Sequence, residues 1–374
     1  MDEGTGTVEA LVNPSQAFWR GKRVLLTGHT GFKGAWLFHW LTALGAEVRG
    51  LALAPDSAPS LAQLTGIAGD AGGVIGDIRD RAGLYALMGD FQPEIVLHLA
   101  AQALVRASYH DPLETFSSNV MGTLHVLDAA SRCLSARAAV IVTTDKCYEN
   151  REWIWPYREN EALGGHDPYS ASKACAEIAT AAWRASLSDM RQYDRQDSPL
   201  HIATARAGNV FGGGDWAVDR LVPDFFRTIA SGEELHLRNP NAKRPWQHVL
   251  EPLCGYLLLA EALYRGEAQD AWNFGPPMDD VQPVSFIAER LFKAENRGRT
   301  WHQAEGFQPH EATFLALDAS KARTELHWQP RLPLREGLDW TYEWYTRHAA
   351  GEDALLLIRE HVERYMALGP VAVK

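Results

Sequence analysis

Along the first two hundred or so residues, short apolar runs alternate with segments of helical period. The runs at 23–27, 46–53, 73–76, 94–99, 138–144 and 201–207 are continuous rather than alternating. Continuous short runs predict strands buried on both faces. Between them, patterns near 33–44, 80–89, 113–133 and 169–188 predict helices. Strand and helix in alternation predict an α/β domain over 18–207, built on a doubly wound parallel sheet. Pro55–Gly73 is a long Ala/Gly/Ser-rich connection with room for one short helix. After about residue 208 the pattern gives way to Gly, Arg, Trp and Pro clusters between short elements. It predicts a smaller C-terminal lobe in two pieces, 208–245 and 276–350, around an element near 246–275 that returns to the first domain. Residues 1–17, small, polar and acidic with Pro14, read as a loose N-terminal arm. Within the C-terminal helix and tail, 351–374, Ala354–Met366 is amphipathic and is expected to pack on the body or on a partner subunit.

Composition narrows the classes. At 374 residues and 46% hydrophobic content, the chain can bury one large core or two fused ones. A formal charge of −11, with no Lys/Arg-rich run, makes nucleic acid and anionic membrane poor partners. No segment approaches the roughly 18 uninterrupted apolar residues of a membrane span, and Met1-Asp2-Glu3 lacks the basic start of a signal peptide. The cysteines at 133, 147, 175 and 254 form no C-x-x-C pair and read as reduced thiols in a cytoplasm. The fourteen histidines show no H-E-x-x-H spacing, so no metal site is expected.

The first chemical signal is Arg23-Val-Leu-Leu-Thr-Gly-His-Thr-Gly-Phe-Lys-Gly34, an apolar strand running into glycines at 28, 31 and 34 before a helix. Glycines there let the backbone turn sharply and approach a pyrophosphate at a positive helix N-terminus, as in Rossmann-like folds. Gly28, Thr30, Gly31, Phe32, Lys33 and Gly34 are therefore candidates for binding a dinucleotide; Lys33 either approaches a phosphate or is a solvated helix residue. The second strand carries no carboxylate at its end, the nearest acid being Asp56, so that position does not separate NAD from NADP. NAD is favoured because no Arg pair follows to greet a 2′-phosphate. Asp77-Ile78 after the third strand suits adenine, with Asp77 as acceptor or, alternatively, as a turn cap.

The second signal is Tyr169-Ser-Ala-Ser-Lys173, downstream of Thr144-Asp145-Lys146. A Tyr and a Lys four apart on a helix share a face, and the ammonium favours the phenolate, so Tyr169 could act as a base.

Together with His98-Leu-Ala-Ala101 and Asn119-Val-Met-Gly-Thr123, these motifs resemble the sugar-nucleotide branch of the extended short-chain dehydrogenase/reductase superfamily, over roughly 18–345. Within it the chain looks most like the CDP-glucose 4,6-dehydratases. The strings that carry this are Thr27-Gly-His-Thr-Gly-Phe-Lys-Gly34, Thr144-Asp-Lys-Cys-Tyr-Glu-Asn-Arg-Glu-Trp153, Arg206-Ala-Gly-Asn-Val-Phe-Gly-Gly-Gly-Asp-Trp216 and Arg244-Pro-Trp-Gln-His-Val249. The resemblance implies an internal redox reaction with tightly held NAD. The hexose is oxidised at C4, loses water across C5–C6 and is reduced at C6. Tyr169 would take the C4 hydroxyl proton, Lys173 would assist it and hold the nicotinamide ribose, and Thr144 would bond the C4 oxygen. Asp145 suits the acid that protonates the leaving hydroxyl. The dTDP-glucose enzymes carry Thr-Asp-Glu here, with the Glu as C5 base. Lys146 would have to be neutral to take that role; otherwise it pairs with Asp145 or a phosphate and water moves the proton.

Ala100, Ala101 and Gln102 would approach the nicotinamide-side phosphates, and Asn119 would position Tyr169 and Lys173 or merely kink its helix. For the substrate, the resemblance implies Asn209, Arg220, Arg238 and Arg244 at the pyrophosphate and Arg106 facing the sugar, with His248 a further candidate that restricts the Arg244 loop. CDP-glucose as substrate rests on the resemblance alone, as does dimerisation through helices 113–133 and 169–188, alone or in a dimer of dimers. The competing enzymes are another sugar-nucleotide 4,6-dehydratase, with a dTDP or GDP substrate, and an NAD-dependent 4-epimerase, the latter disfavoured by Asp145-Lys146. A dinucleotide sensor would need neither Tyr169/Lys173 nor the arginines.

Overall fold

The computed structural model describes residues 12–69, 71–194, 200–306 and 311–369. Most of the expected arm, residues 1–11, and the tail beyond 369 lie outside them. Residues 12–17 are not loose: the Ser15 amide donates to the buried Glu261 carboxylate at 2.7 Å, and Ser15 caps the short helix Gln16–Trp19. Trp19, fully buried, donates to the same carboxylate at 2.8 Å.

The strands are β1 (Arg23–Thr27), β2 (Glu47–Ala52), β3 (Gly73–Ile75), β4 (Ile95–His98), β5 (Ala138–Val142), β6 (His201–Ala207), β7 (Asn209–Phe211), β8 (Leu235–Leu237), β9 (Lys243–His248), β10 (Asp270–Phe274), β11 (Val281–Pro283) and β12 (Trp301–Gln303). Seven form one parallel sheet in the order β10-β6-β5-β4-β1-β2-β3. The chain steps outward from β1 to β3, then returns to place β4 against β1. That reversal opens a crevice at the carboxyl ends of β1 and β4, where α/β sheets bind ligands. The rest pair as β11-β9-β7 and β12-β8.

The continuous apolar runs are explained by the pleat. Val24 and Leu26 of β1 enter one core with Trp36 and Trp40, while Leu25 enters a second with Val96, Leu84 and Leu127. Successive side chains point to opposite faces, so both sets must be apolar when both faces are covered. Each such Leu or Val stabilises the fold by about 1.5–3 kcal/mol relative to exposure.

The helix expected over 113–133 is broken. It runs Pro112–Phe116, widens into a π-turn at Ser117–Met121, and resumes over Gly122–Arg132. The helix Ala354–Met366 packs on the body. Tyr365 sits edge-on to Trp40 at 5.7 Å and His361 lies 6.1 Å from Trp36, both on the helix Phe32–Ala43. Among the described residues no helix is long and apolar enough to cross a membrane.

Candidate functional site

The site is a cleft of about 1070 Å³ over the carboxyl ends of β1, β4 and β5. Its floor is the glycine loop. Gly28 holds φ +79°, and a Cβ there would stand 2.7 Å from the Ala100 amide nitrogen. A Cβ on Gly34 would stand 2.0 Å from the Gly28 carbonyl. The loop is therefore clamped against the end of β4 with no room for side chains. The helix Phe32–Ala43 starts at Gly31 without a side-chain cap, so its first N–H groups remain open to an anion. These features fit the pyrophosphate of a dinucleotide. Thr27 ties the two strand ends, its hydroxyl 2.7 Å from His98 Nδ1 and accepting from the Ala100 amide at 3.2 Å. Thr30 and Phe32 line the cleft, Thr30 donating to the Leu53 carbonyl at 2.9 Å.

Lys33 is no solvated helix residue. Its ammonium lies 3.5 Å from the Tyr256 hydroxyl. Burial and the cations Arg220 and Lys173 push it down to about 7, Asp145 opposing them. Asp77 and Ile78 reach the cleft wall. The Asp77 carboxylate accepts from the Arg79 amide at 2.8 Å, capping the turn, and from its guanidinium at 2.6 Å. Ala100 and Ala101 line the cleft, whereas Gln102 and Asn119 stand behind it. The Asn119 side chain accepts from the Gln102 amide at 2.9 Å and donates to the Gln102 carbonyl at 3.0 Å and to Ser172 Oγ at 2.8 Å. It thereby ties the π-turn, the segment after β4 and the Tyr169 helix together.

Thr144, Asp145 and Lys146 leave β5 on a tight turn in which Thr144 Oγ1 accepts from the Lys146 amide. Facing them, Tyr169 and Lys173 project from the helix Pro168–Asp194 into the cleft that Thr144 and Lys146 also line. Burial pushes Tyr169 up to about 12, against the Thr144 hydrogen bond and the Arg220 charge, with Asp145 adding to the rise. Lys173 was expected to lower it. Instead its ammonium turns to the Val142 carbonyl at 3.3 Å. Burial lowers Lys173 to about 8, while Glu177 and Cys147 raise it. Asp145 is fully buried behind Thr144; its Oδ1 accepts from the Thr144 hydroxyl at 3.0 Å, and its Oδ2 has no partner among the described residues. Lys146 Nζ lies 3.7 Å from Asp145 Oδ1.

The far half of the cleft carries most of the pyrophosphate candidates. Asn209, Arg106, Arg220, Arg238 and Arg244 all line it. Arg220 pairs with Asp215 at 3.0 Å, Arg106 with Asp219 at 2.9 Å, and Arg238 with Glu311 at 3.6 Å. Arg244, nearly buried, donates to the Lys243 and Ala312 carbonyls. His248 is a correction. It ends β9 inside an aromatic cluster of Trp36, Phe211, Trp340 and His361, and it does not line the cleft. Burial and His361 drive its imidazole well below the ordinary value, as expected of a packed neutral ring.

Sequence reasoning passed over Glu177 and Arg206, a buried ion pair at 2.7 Å just behind Lys173. The spacing Tyr169, Lys173, Glu177 was the signal available, since it puts all three on one helix face.

The chain belongs to the GDP-mannose 4,6 dehydratase family, whose pattern matches residues 25–341. It is 46% identical over 94% of its length to the CDP-glucose 4,6-dehydratase of Salmonella typhimurium, spanning 98% of that protein. It is 28% identical to the dTDP-glucose 4,6-dehydratase of Streptomyces griseus, over 75% of this chain and 79% of that one. Among solved structures it resembles an epimerase from Methanothermobacter thermautotrophicus, with a TM-score of 0.77 and 24% identity over 92% of this chain and 96% of that one. It also resembles the dTDP-glucose 4,6-dehydratase of Bacillus anthracis in complex with NAD, with a TM-score of 0.71 and 20% identity over 90% of this chain and all of that one.

Proposed function

We propose that this chain is an NAD-dependent CDP-glucose 4,6-dehydratase, converting CDP-D-glucose to CDP-4-dehydro-6-deoxy-D-glucose and water in deoxysugar synthesis. The observation that carries the reading is the cleft lined together by Thr144, Lys146, Tyr169 and Lys173, with Asp145 buried behind Thr144, in a chain 46% identical along 94% of its length to such an enzyme. Solved epimerases share the fold, but epimerisation needs no acid and base for elimination, which Asp145 and Lys146 supply.

NAD, when bound on the glycine loop, supplies the acceptor for the C4 hydride, its later return to C6 and a positive charge over the cleft. Tyr169, as the phenolate that the positive charges of bound NAD and of Lys173 would favour, takes the proton from the C4 hydroxyl while Thr144 holds that oxygen. The resulting ketone acidifies C5–H, and Lys146 takes that proton after passing its own to Asp145 within their pair. Asp145 gives a proton to the C6 hydroxyl. The C6–O bond then breaks, water departs and a C5=C6 double bond forms. When C6 is reduced, Lys146, whose N–H protons exchange with solvent in the meantime, returns a proton to C5. The proton gained by Tyr169 balances the one given by Asp145.

The pyrophosphate would lie among Arg220, Arg238, Arg244, Arg106 and Asn209, Arg244 being held most firmly by its two carbonyls. The proposed division keeps 18–207 with 246–275 as the cofactor domain and 208–245 with 276–350 as the substrate lobe. Exposed Leu113, Met121 and Ile178 support pairing of helices 113–133 and 169–188 with a second copy. Free thiols at 133, 147, 175 and 254 support a cytoplasmic location.

In deuterated water, the product from CDP-glucose should lose one water and gain one deuterium at C5. A hexose recovered without water loss, or product with hydrogen retained at C5, would contradict this mechanism.

A further inference from the structure

Glu177 lies one helical turn beyond Lys173 and two beyond Tyr169, on the same face. It is only 3% exposed. One carboxylate oxygen accepts from the Thr143 hydroxyl; the other accepts from the Thr204 hydroxyl and from Arg206 Nη2, each at 2.7 Å. Arg206, equally buried, donates through Nη1 to the Tyr148 hydroxyl at 2.7 Å and to the Glu159 carbonyl at 3.0 Å. Thr143 immediately precedes Thr144, and Tyr148 immediately follows the turn Asp145–Cys147. The carboxylate thus grips the catalytic turn from both ends, directly at Thr143 and through Arg206 at Tyr148, while its own helix carries Tyr169 and Lys173.

A buried ion pair of this kind is weak evidence of stabilisation, because desolvation offsets most of the attraction. The placement of its charge is more informative. Around Lys173 stand Tyr169 on its own helix, Cys147 on the turn, His98 on β4 and Lys33 across the cleft. The cation Lys33 opposes a charge on Lys173, and Cys147 and His98 are buried groups whose shifts keep them neutral. Glu177 is the nearby carboxylate whose charge favours an ammonium at Lys173.

We propose that Glu177 is a positioning residue that keeps Lys173 charged and locks the Thr144-Asp145-Lys146 turn in register with Tyr169. This rests on the roles assigned to Tyr169 and Lys173 above. Burial lowers Lys173, and the Glu177 carboxylate one turn along the same helix face opposes that shift and favours the ammonium.

The test is a pH titration of the full-length chain labelled with ¹³Cε-lysine, the Lys173 signal being assigned by its loss in K173R. The midpoint should lie near 8 in the unaltered chain and fall by about one unit or more in E177Q, while E177D keeps it. Because E177Q leaves Arg206 buried without its partner, E177L/R206M, which removes both charges, provides a second reading and should show a smaller fall in the same direction, since a neighbouring cation leaves with the carboxylate. The alkaline limb of single-turnover C4 oxidation should move to lower pH by the same amount. A midpoint and limb that stay in place, with only the amplitude reduced, would overturn the proposal and leave Glu177 a packing element. If the unaltered chain makes no 4-keto sugar at any pH, the functional reading fails instead, and the lysine titration still decides the role of Glu177.

Discussion

Replacing Asp145 with Asn removes the proposed acid while keeping its size. Asp145 is fully buried, and its ion pair with Lys146 spans 3.7 Å with the lysine 30% exposed. Two unit charges at that distance attract by ~4 kcal/mol at an effective dielectric of about 20. Solvent reaching Lys146 screens much of this, leaving on the order of 1 kcal/mol of stability at stake. The variant should therefore fold. Loss of a general acid costs about 10²–10⁴ in rate, equivalent to roughly 3–5 kcal/mol in the barrier. The two magnitudes separate the chemical effect from a folding effect. Rapid quench followed by mass spectrometry should show 4-keto-CDP-glucose accumulating with its C6 hydroxyl intact, and C5 should still exchange with deuterated water. Water loss at the rate of the unaltered chain would refute the assignment.

Four further outcomes are expected. Tyr169→Phe should lower C4 oxidation by at least about 10²-fold with thermal stability nearly unchanged; normal turnover would remove Tyr169 from the mechanism. Lys146→Ala should slow deuterium entry at C5 by a similar factor, and unchanged exchange would give that step to water. Gly34→Ala drives a Cβ against the Gly28 carbonyl, so NAD affinity measured by calorimetry should collapse and stability should fall by ~1–3 kcal/mol; tight binding would contradict the described loop. His248→Ala opens a cavity in the aromatic cluster and should cost roughly 2–4 kcal/mol in chemical denaturation while leaving the substrate KM unchanged; a raised KM would return His248 to the substrate.

Much of the central sheet could be read from the chain because its signal is local. A run such as Arg23–Thr27 is apolar on both faces and ends in glycines that only a tight turn requires. Residues whose behaviour depends on distant partners could not be read this way. The π-turn at Ser117–Met121 coincides with Asn119 reaching Gln102 and Ser172, 17 and 53 residues away. The charge proposed for Lys173 depends on Glu177, whose own partners are Thr143, just past the end of β5, and Arg206 on β6. His248 misled because it shares a string with Arg244. β9 begins at the cleft with Arg244 and ends in the core, so neighbours in sequence serve different surroundings. Residues 12–17 look polar and unanchored in sequence, yet a buried carboxylate on the helix Leu250–Arg265 fastens Ser15 and Trp19.

The most direct measurement incubates the purified chain and NAD with CDP-, dTDP-, UDP- and GDP-glucose and with GDP-mannose, and follows each sugar nucleotide by mass spectrometry. Loss of one water from CDP-glucose, with the other nucleotides left intact, is the predicted result. Interconversion of epimers with no change in mass, or water loss confined to another nucleotide, would contradict it.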